Sequence, residues 1–300
     1  MKPVFVINPL SETVAQKGSS LKSFSHIAQD VYDEEIFDYL DDIVTAGVKA
    51  GWVIIEGGDG TAQGIITAFF NNIKTPADMP SFTLLPGGMT NQVAKNIGLK
   101  TVTKRGIKAL LDSPQKQTPM PLLKVSSAGH PDLFGFLFST GGVPMVTQYT
   151  KEKLHSRGIG GSAAVMGGIL KGILSRDQDV LRPTDICLNI GNMQHKGSHL
   201  GTLVTTLPSL LLGLDPFWGD GEGPLRITYA ADNAKRLPAH IAGLWIGAKS
   251  KDRSPDGLHS YNAKTLEYDY SGPIVLDGEP LAIGREFLIS ATQALNFYHD

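Results

Sequence analysis

The chain has 300 residues, a formal net charge of −2 and one cysteine, Cys187. The nearly balanced charge offers no basic surface for nucleic acid, and a single cysteine excludes an internal disulfide. No run of about eighteen apolar residues is long enough to cross a bilayer, and the first residues lead directly into a predicted strand, so we expect no signal peptide. We therefore expect a cytoplasmic protein without a transmembrane segment or a nucleic-acid partner, whose contact with lipid is peripheral.

The N-terminal part of the chain alternates predicted strands with predicted helices. Val4-Phe5-Val6-Ile7 is an apolar strand that ends at Asn8, where a side-chain amide could reach a nucleotide. Residues 33–50 have apolar side chains at helical spacing. The acidic cluster Asp33-Glu34-Glu35 is expected in the first turn of that helix, where it complements the helix dipole.

The stretch Gly57-Gly58-Asp59-Gly60-Thr61 follows the buried strand Trp52-Val53-Ile54-Ile55 and precedes a helix predicted over residues 62–70. Glycines let the backbone take positive φ and let a ligand come close, and the N–H groups of such a turn, with a helix N-terminus behind them, can bind phosphate. Asp59 would repel that ligand unless a divalent cation, hydrogen-bond donors or a proton-transfer role offset its charge. The pattern indicates phosphoryl chemistry.

A second glycine turn supports that interpretation. A strand at residues 81–85 is broken by Pro86-Gly87-Gly88-Met89-Thr90-Asn91, and residues 92–97 then look helical. Two strand–turn–helix units of this kind would set two phosphate-facing turns along one edge of a parallel sheet. A last helix, at residues 102–111, is expected to close the domain.

After Pro121 the pattern consists mostly of short strands, which favours an antiparallel sandwich. The predicted strands are residues 122–126, 133–140, 185–190, 199–207, 225–230, 241–246, 265–270, 273–276 and 286–290. One apolar helix, at residues 162–174, interrupts them. It either packs on the sandwich or forms the wall of an acyl-chain pocket.

Four motifs, in this order, resemble the diacylglycerol kinase catalytic-domain family, which includes bacterial lipid kinases and the sphingosine and ceramide kinases. They are Asn8-Pro9-Leu10-Ser11, Gly57-Gly58-Asp59-Gly60-Thr61, Pro86-Gly87-Gly88-Met89-Thr90-Asn91 and Leu276-Asp277-Gly278-Glu279-Pro280. The chain departs from the family pattern at Glu12, at Met89, at Gln92 and at Ser139-Thr140.

The resemblance implies a three-layer α/β nucleotide-binding domain, as in NAD kinases and diacylglycerol kinases, over residues 1–120, to which residues 291–300 return. It implies an antiparallel β-sandwich that binds lipid over residues 121–290. The implied activity is transfer of the γ-phosphoryl group of ATP, with Mg²⁺, to the hydroxyl of a diacylglycerol-like lipid in the interdomain cleft. The lipid would be met at the membrane surface, in phospholipid biosynthesis, and a homodimer is compatible with this reading.

The resemblance also assigns site residues. The expected nucleotide-binding residues are Asn8, Gly57, Gly58, Asp59, Gly60, Thr61, Gly87, Gly88, Thr90 and Asn91. Asp277 or Asp59 would orient or deprotonate the acceptor hydroxyl, and Glu279 would help to hold the metal or the base. A structural Mg²⁺ site is expected at Asp215, Asp220 and Glu222.

Strand alternation would point Asp277 and Glu279 to the same side, although an Asp-Gly pair is also a common hairpin turn. Two other functions stay open. An NAD kinase shares the Gly-Gly-Asp-Gly turn, but the Asn-Glu motif expected after the turn is missing. The other alternative is a catalytically silent lipid- or nucleotide-binding relative, suggested by Gln92 in place of the family's aspartate.

Overall fold

A computed structural model describes residues 2–88, 91–97, 103–113, 116–142, 182–191, 193–210, 215–237, 239–240, 243 and 252–299. Its contacts divide the chain into two compact units. Unit 1 comprises Met1–Leu122 and Gln293–Asp300, and unit 2 comprises Leu123–Thr292. The helix predicted at residues 162–174 lies outside the described residues, as does the strand predicted at 241–246 apart from one residue. None of the helices in the described part has the length and apolarity needed to span a bilayer.

The helices and strands run in chain order from one unit to the other and back. They are β1 (Val4–Ile7), α1 (Glu12–Lys17), β2 (Asp30–Tyr32), α2 (Leu40–Ala50), β3 (Trp52–Gly57), α3 (Asp59–Asn72), β4 (Ser81–Pro86), α4 (Gln92–Asn96), α5 (Lys104–Asp112), β5 (Lys116–Met120), β6 (Leu123–Ser127), β7 (Leu133–Gly135), β8 (Leu137–Gly141), β9 (Thr184–Ile190), β10 (Met193–Thr205), β11 (Leu225–Ala231), β12 (Leu258–Ala263), β13 (Thr265–Tyr270), β14 (Ile274–Leu276), β15 (Glu279–Pro280), β16 (Glu286–Ala291) and β17 (Leu295–His299).

Unit 1 is built on a six-stranded sheet with the order β2-β1-β3-β4-β17-β5. Strands β2, β1, β3, β4 and β17 are parallel, and β5 runs antiparallel to β17. Parallel neighbours require crossover connections, which helices supply here. The C-terminal strand β17 thus returns to this sheet and joins β4 to β5.

Helices cover both faces of this sheet because the side chains of each strand alternate between two apolar sides. On one face, Ile54 of β3 belongs to a buried cluster with Ile107 of α5. On the other face, the rings of Phe69 in α3 and Phe82 in β4 meet edge to face, 5.2 Å apart. A Cβ added to Gly47 of α2 would lie 2.5 Å from the Phe69 ring, so α2 lies directly on α3. The predicted α/β fold class of this domain is confirmed.

Helix α2 is shorter than the sequence pattern predicted. It begins at Leu40 rather than at residue 33, because Glu35 takes a left-handed φ of 45°, which no helical residue adopts. The acidic cluster at residues 33–35 therefore does not lie in the first turn of the helix. Asp33 instead forms an ion pair of 2.9 Å with Lys22.

In the described part of unit 2, eleven strands form one antiparallel sheet. The long strand β10 joins its parts: residues 193–199 pair with β9, and residues 201–205 pair with β8 and β11, with an irregularity between His199 and Gly201. The core contains the rings of Phe138, Tyr268 and Phe287, whose centroids lie 4.7–5.7 Å apart. The predicted antiparallel β domain is confirmed, with all its strands in one hydrogen-bonded network.

Candidate active site

The two glycine turns of unit 1 touch through their main chains. They follow β3 and β4, which are neighbours in the sheet, and Gly87 N–H donates to the Gly57 carbonyl over 2.9 Å. A Cβ on Gly87 would lie 2.8 Å from Gly57 Cα, and one on Gly88 would lie 2.5 Å from Gly58 Cα. Real Cβ atoms essentially never approach that closely. Glycine is therefore required here by contact between two backbones.

The sequence also predicted that these glycines adopt positive φ, and this prediction was wrong. Gly57, Gly58, Gly60, Gly87 and Gly88 are all described, and none is among the glycines with positive φ. Strand β3 includes Gly57, Gly58 is still extended, and the pairing of Gly57 with Pro86 brings the two turns side by side. The absence of a side chain, rather than left-handed backbone freedom, is the property that the site uses.

Helix α3 begins inside the Gly-Gly-Asp-Gly-Thr motif, at Asp59, three residues earlier than predicted. Gly58 is its N-cap residue and supplies no side-chain hydrogen bond. The first turn of this 14-residue helix is thus formed by the motif itself. Because a helix N-terminus carries a partial positive charge and outward N–H groups, this geometry suits a phosphate group.

The loop after β1 is hydrogen-bonded to the same motif. Asn8 Nδ2 donates to Thr61 Oγ1 over 2.8 Å, while Asn8 Oδ1 accepts the Leu10 N–H over 3.0 Å. Ser11 Oγ accepts the Gly58 N–H over 3.3 Å and lies 3.5 Å from Thr61 Oγ1. Asn8 therefore fixes the position of Thr61 and of its own loop, a role that the sequence did not indicate.

Asn91 and Asp59 hold the second turn in place. Asn91 takes a left-handed φ of 48°, and its amide accepts the Gly88 N–H over 2.9 Å and donates to the Gly88 carbonyl over 2.6 Å. Asp59 Oδ1 accepts the Val93 N–H over 3.2 Å, in the first turn of α4. This main-chain donor offsets part of the Asp59 charge, as the sequence argument required. Thr90 lies outside the described residues.

Glu56 is a buried acidic residue that the sequence analysis missed. It is the penultimate residue of β3 and is 2 % exposed. Its carboxylate accepts the Ser19 hydroxyl, the Ser20 N–H over 2.7 Å and the Leu21 N–H over 3.4 Å. Glu56 thereby ties the segment after α1 to the strand that carries the glycine motif. A charged residue closing an otherwise apolar strand was the available signal, because such a charge needs partners when buried.

In unit 2, Asp277 lies in a hairpin turn rather than in a strand. Asp277 and Gly278 have φ of 51° and 88°, and they connect Leu276 to its paired residue Glu279. These values are typical of the two-residue Asp-Gly hairpin. The expectation that strand alternation points Asp277 and Glu279 to one side was wrong, because Asp277 is itself in the turn and only Glu279 is in a strand.

The Asp277 carboxylate binds the main chain at the break between β7 and β8. Its Oδ1 accepts the N–H groups of Phe136 and Leu137 over 3.0 and 2.8 Å. Gly135 lies against it, since a Cβ there would be 2.5 Å from Asp277 Oδ2. Glu279, by contrast, is exposed. The structure thus places Asp277 at a fixed position, held by two backbone donors.

The predicted metal triad is not formed. Asp215 makes an ion pair of 2.6 Å with Arg226, and the Glu222 side chain is 94 % exposed, 4.0 Å from Lys264. Asp220 takes part in an isolated bridge with Tyr261. Within the described residues, no three acidic, histidine or cysteine side chains are grouped so that they could hold a metal ion. The structure thus does not bring the three predicted metal ligands together, and Asp215 binds Arg226 instead.

Comparison with solved structures finds the same fold. Three structures from Bacillus anthracis strain Sterne, all named as diacylglycerol kinases and two of them provisionally, align over 100 % of this chain and 97 % of theirs. Their TM-scores are 0.72, 0.73 and 0.61 at 14, 14 and 12 % identity. At that identity the likeness shows the fold alone. No curated protein matches the chain.

Comparison with models of protein families gives a match in sequence, which the likeness of fold does not. The model of the diacylglycerol kinase catalytic domain matches residues 4–123, the segment that carries both glycine turns and the Asn8 loop. The protein therefore carries a kinase-family catalytic domain, and the family resemblance seen in its motifs is confirmed. Residues 4–123 are thus the part of the chain that matches the diacylglycerol kinase catalytic-domain family.

Proposed function

We propose that the protein is an ATP-dependent kinase that transfers a γ-phosphoryl group to the hydroxyl of a diacylglycerol-like lipid. The observation that carries this proposal is the pair of glycine turns in main-chain contact at the N-terminus of α3, within a diacylglycerol kinase catalytic domain. Phosphoryl transfer demands little covalent chemistry of the protein and depends mainly on positioning and charge stabilisation.

The nucleotide phosphates would bind at the first turn of α3. Gly58 and Gly88 have no side chains, so the two turns pack main chain against main chain beside this helix N-terminus, whose N–H groups would bind the phosphates. Asn8 and Ser11 hold Thr61 and Gly58 through the hydrogen bonds described above. These hydrogen bonds hold the proposed phosphate-binding turn in place before any ligand binds. Less conformational entropy is then lost on binding.

Asp59 is the residue that fits a magnesium ion at this turn. Mg²⁺ in kinases is commonly held by one or two carboxylates together with the phosphates of the nucleotide, so a dedicated group of three protein ligands is not needed. When bound, the ion would neutralise the charge of the phosphates. Asp59 would contribute an oxygen to it while its Oδ1 keeps the Val93 N–H.

Asp277 is our candidate for the base that takes the proton of the acceptor hydroxyl. Two backbone donors fix its carboxylate. Asp59 is the alternative base. A lipid acceptor implies that the protein works at a membrane surface, in phospholipid metabolism.

A phosphoryl-transfer assay tests this proposal. Purified protein is incubated with Mg²⁺ and ATP labelled at the γ-phosphate, with diacylglycerol in mixed micelles, with ceramide, with NAD and without acceptor. We expect labelled lipid only in the diacylglycerol reaction. Labelled NADP would show an NAD kinase instead. ATP binding without transfer to any acceptor would show a catalytically silent relative.

A further inference from the structure

Two arginines of unit 2 stack on neighbouring aromatic residues of the same loop. The Arg226 guanidinium lies 4.9 Å from the centre of the Phe217 ring, and the Arg253 guanidinium lies 4.6 Å from the centre of the Trp218 ring. Cations are attracted to aromatic faces in this arrangement. The two pairs are alike in geometry, and they differ in how the charge of the arginine is compensated.

Arg226 has a full set of partners. It donates to Asp215 Oδ1 over 2.6 Å and to the carbonyls of Leu207 and Pro208 over 3.1 and 2.7 Å. Arg253 is only 8 % exposed, yet within the described part of the chain its side chain has no carboxylate or carbonyl partner, only the Trp218 ring. Its nitrogens are not among the fully buried atoms that lack a hydrogen bond, so they keep some exposure to solvent.

The acidic side chains next to Arg253 in sequence are engaged elsewhere. Asp252 accepts the Ser254 N–H and hydroxyl over 2.9 and 2.7 Å. Asp256 Oδ2 lies 2.8 Å from His240 Nε2. Burial lowers the pKa of Arg253, but an arginine stays charged at neutral pH. A nearly buried positive charge for which the described residues supply no anion is unfavourable.

Hydrogen bonds within the protein hold the main chain at Trp218 in place without a ligand. The N–H groups of Trp218 and Gly219 donate to Ser260 Oγ over 3.1 and 3.0 Å, and Ser260 is itself 9 % exposed. Gly219 lies against the main chain of Tyr261, where a Cβ would have no room. The stacking surface for Arg253 is therefore preorganised.

We propose that Arg253, stacked on Trp218, is a binding site for a phosphate group in unit 2. A guanidinium presents a planar fork of N–H donors that matches two phosphate oxygens, and its charge makes these hydrogen bonds strong. The group could be inorganic phosphate or the phosphomonoester head group of an anionic lipid. This site does not depend on the kinase assignment, which concerns residues of unit 1 and Asp277.

Thermal unfolding of three proteins tests the site: the parent, Arg253→Met and the matched control Arg226→Met. Methionine keeps the apolar stem and removes the charge. In phosphate-free buffer we expect Arg253→Met to melt at or above the parental temperature, since an unpaired charge is removed, and Arg226→Met to melt several degrees lower. Inorganic phosphate should raise the melting temperature of the parent and of Arg226→Met, and it should raise that of Arg253→Met much less.

Co-sedimentation with vesicles of phosphatidylcholine, with and without phosphatidic acid, distinguishes a lipid head group from free inorganic phosphate as the ligand. Binding to the phosphatidic acid vesicles that is lost in Arg253→Met identifies a lipid head group, and a response to phosphate alone identifies the free anion. If Arg253→Met does not fold, Arg253→Lys should weaken the apparent affinity for phosphate several-fold. An equal response of the parent and the Arg253 variant to both probes, or no response of the parent to either, overturns the proposal.

Discussion

Gly58 and Gly88 lie so close that a Cβ on Gly88 would be 2.5 Å from the Gly58 Cα. The contact joins two turns that are thirty residues apart in sequence and follow neighbouring strands. It is asymmetric, because a Cβ on Gly58 would be 3.3 Å from the Gly88 Cα. The shape of the proposed phosphate seat therefore depends on Gly88 more than on Gly58.

This asymmetry predicts different costs for two alanine substitutions. Gly88→Ala must push two backbones apart, and such overpacking typically costs about 1–3 kcal/mol. Gly58→Ala requires a shift of only a few tenths of an ångström, so we expect a smaller loss. Denaturant unfolding of both variants measures this, and ATP affinity should fall in the same order. Equal stability of Gly88→Ala and the parent would contradict the close contact.

The second prediction concerns nucleotide binding. ATP with Mg²⁺ should raise the melting temperature, since a ligand that binds only the native state stabilises it, by about 2.7 kcal/mol at a hundred times its dissociation constant. Gly60→Val should abolish the rise by placing a branched side chain in the first turn of α3. Gly60→Ala is the control for helix propensity and should keep part of the rise. A parental melting curve that millimolar nucleotide leaves unshifted would count against a kinase.

The third prediction concerns Asp277 and distinguishes its proposed role in catalysis from its role in stability. Asp277→Asn keeps an oxygen that can accept the N–H groups of Phe136 and Leu137, so stability and ATP affinity should stay near those of the parent. The turnover number should fall by orders of magnitude, as expected for loss of a general base. Asp277→Ala should in addition lose stability by roughly 1 kcal/mol or somewhat more, because two partly buried N–H donors lose their acceptor.

Comparison with Asp59→Asn decides which carboxylate is the base. If Asp277→Asn turns over at the parental rate while Asp59→Asn is inactive, the base is Asp59. Steady-state kinetics with saturating ATP, together with the ATP dissociation constant of each variant, provide the measurement.

The sequence predicted most of unit 1 because its strands are apolar runs that end in turn residues, as at β3 and β4. Motif order also identified the two glycine turns that the structure brings into contact. The reason for their glycines could not be read from the sequence, since the contact of Gly88 with Gly58 depends on the register between strands. The start of α2 was missed for a local reason, the left-handed backbone of Glu35.

In unit 2 the sequence failed to predict which groups the acidic side chains contact. Asp277 and Glu279 were assigned from the resemblance of their motif and were expected on one side of a strand, but Asp277 lies in the two-residue turn that leads to Glu279. Asp215 was expected to bind metal, but Arg226 comes from a strand eleven residues later and forms the ion pair instead. Such partners are set by tertiary contacts, which local pattern and composition do not encode.

The fourth prediction is a pH dependence from buried His199. This residue is 0 % exposed, with Nδ1 2.9 Å from the Thr184 carbonyl and Nε2 2.9 Å from Thr140 Oγ1. Burial lowers its pKa. Below about pH 6.5 the unfolded chain therefore binds a proton that the folded protein does not, and the free energy of unfolding falls as the pH falls.

His199→Gln should make that pH dependence shallower between about pH 7.5 and pH 5 in denaturant titrations. His195 and His259, whose pKa values burial also lowers, account for part of the slope that remains. An identical slope in the parent and in His199→Gln would show that His199 is protonated in the folded state.

The most direct test of the central claim is the dependence of phosphoryl transfer on acyl-chain length. Label transfer from ATP is measured for diacylglycerols of decreasing chain length and for NAD, at equal acceptor concentration. Each buried methylene contributes about 0.8 kcal/mol, so we predict that the apparent affinity falls steeply as the chains shorten and that NAD is not phosphorylated. Equal transfer to all chain lengths, or transfer to NAD alone, would contradict a lipid kinase.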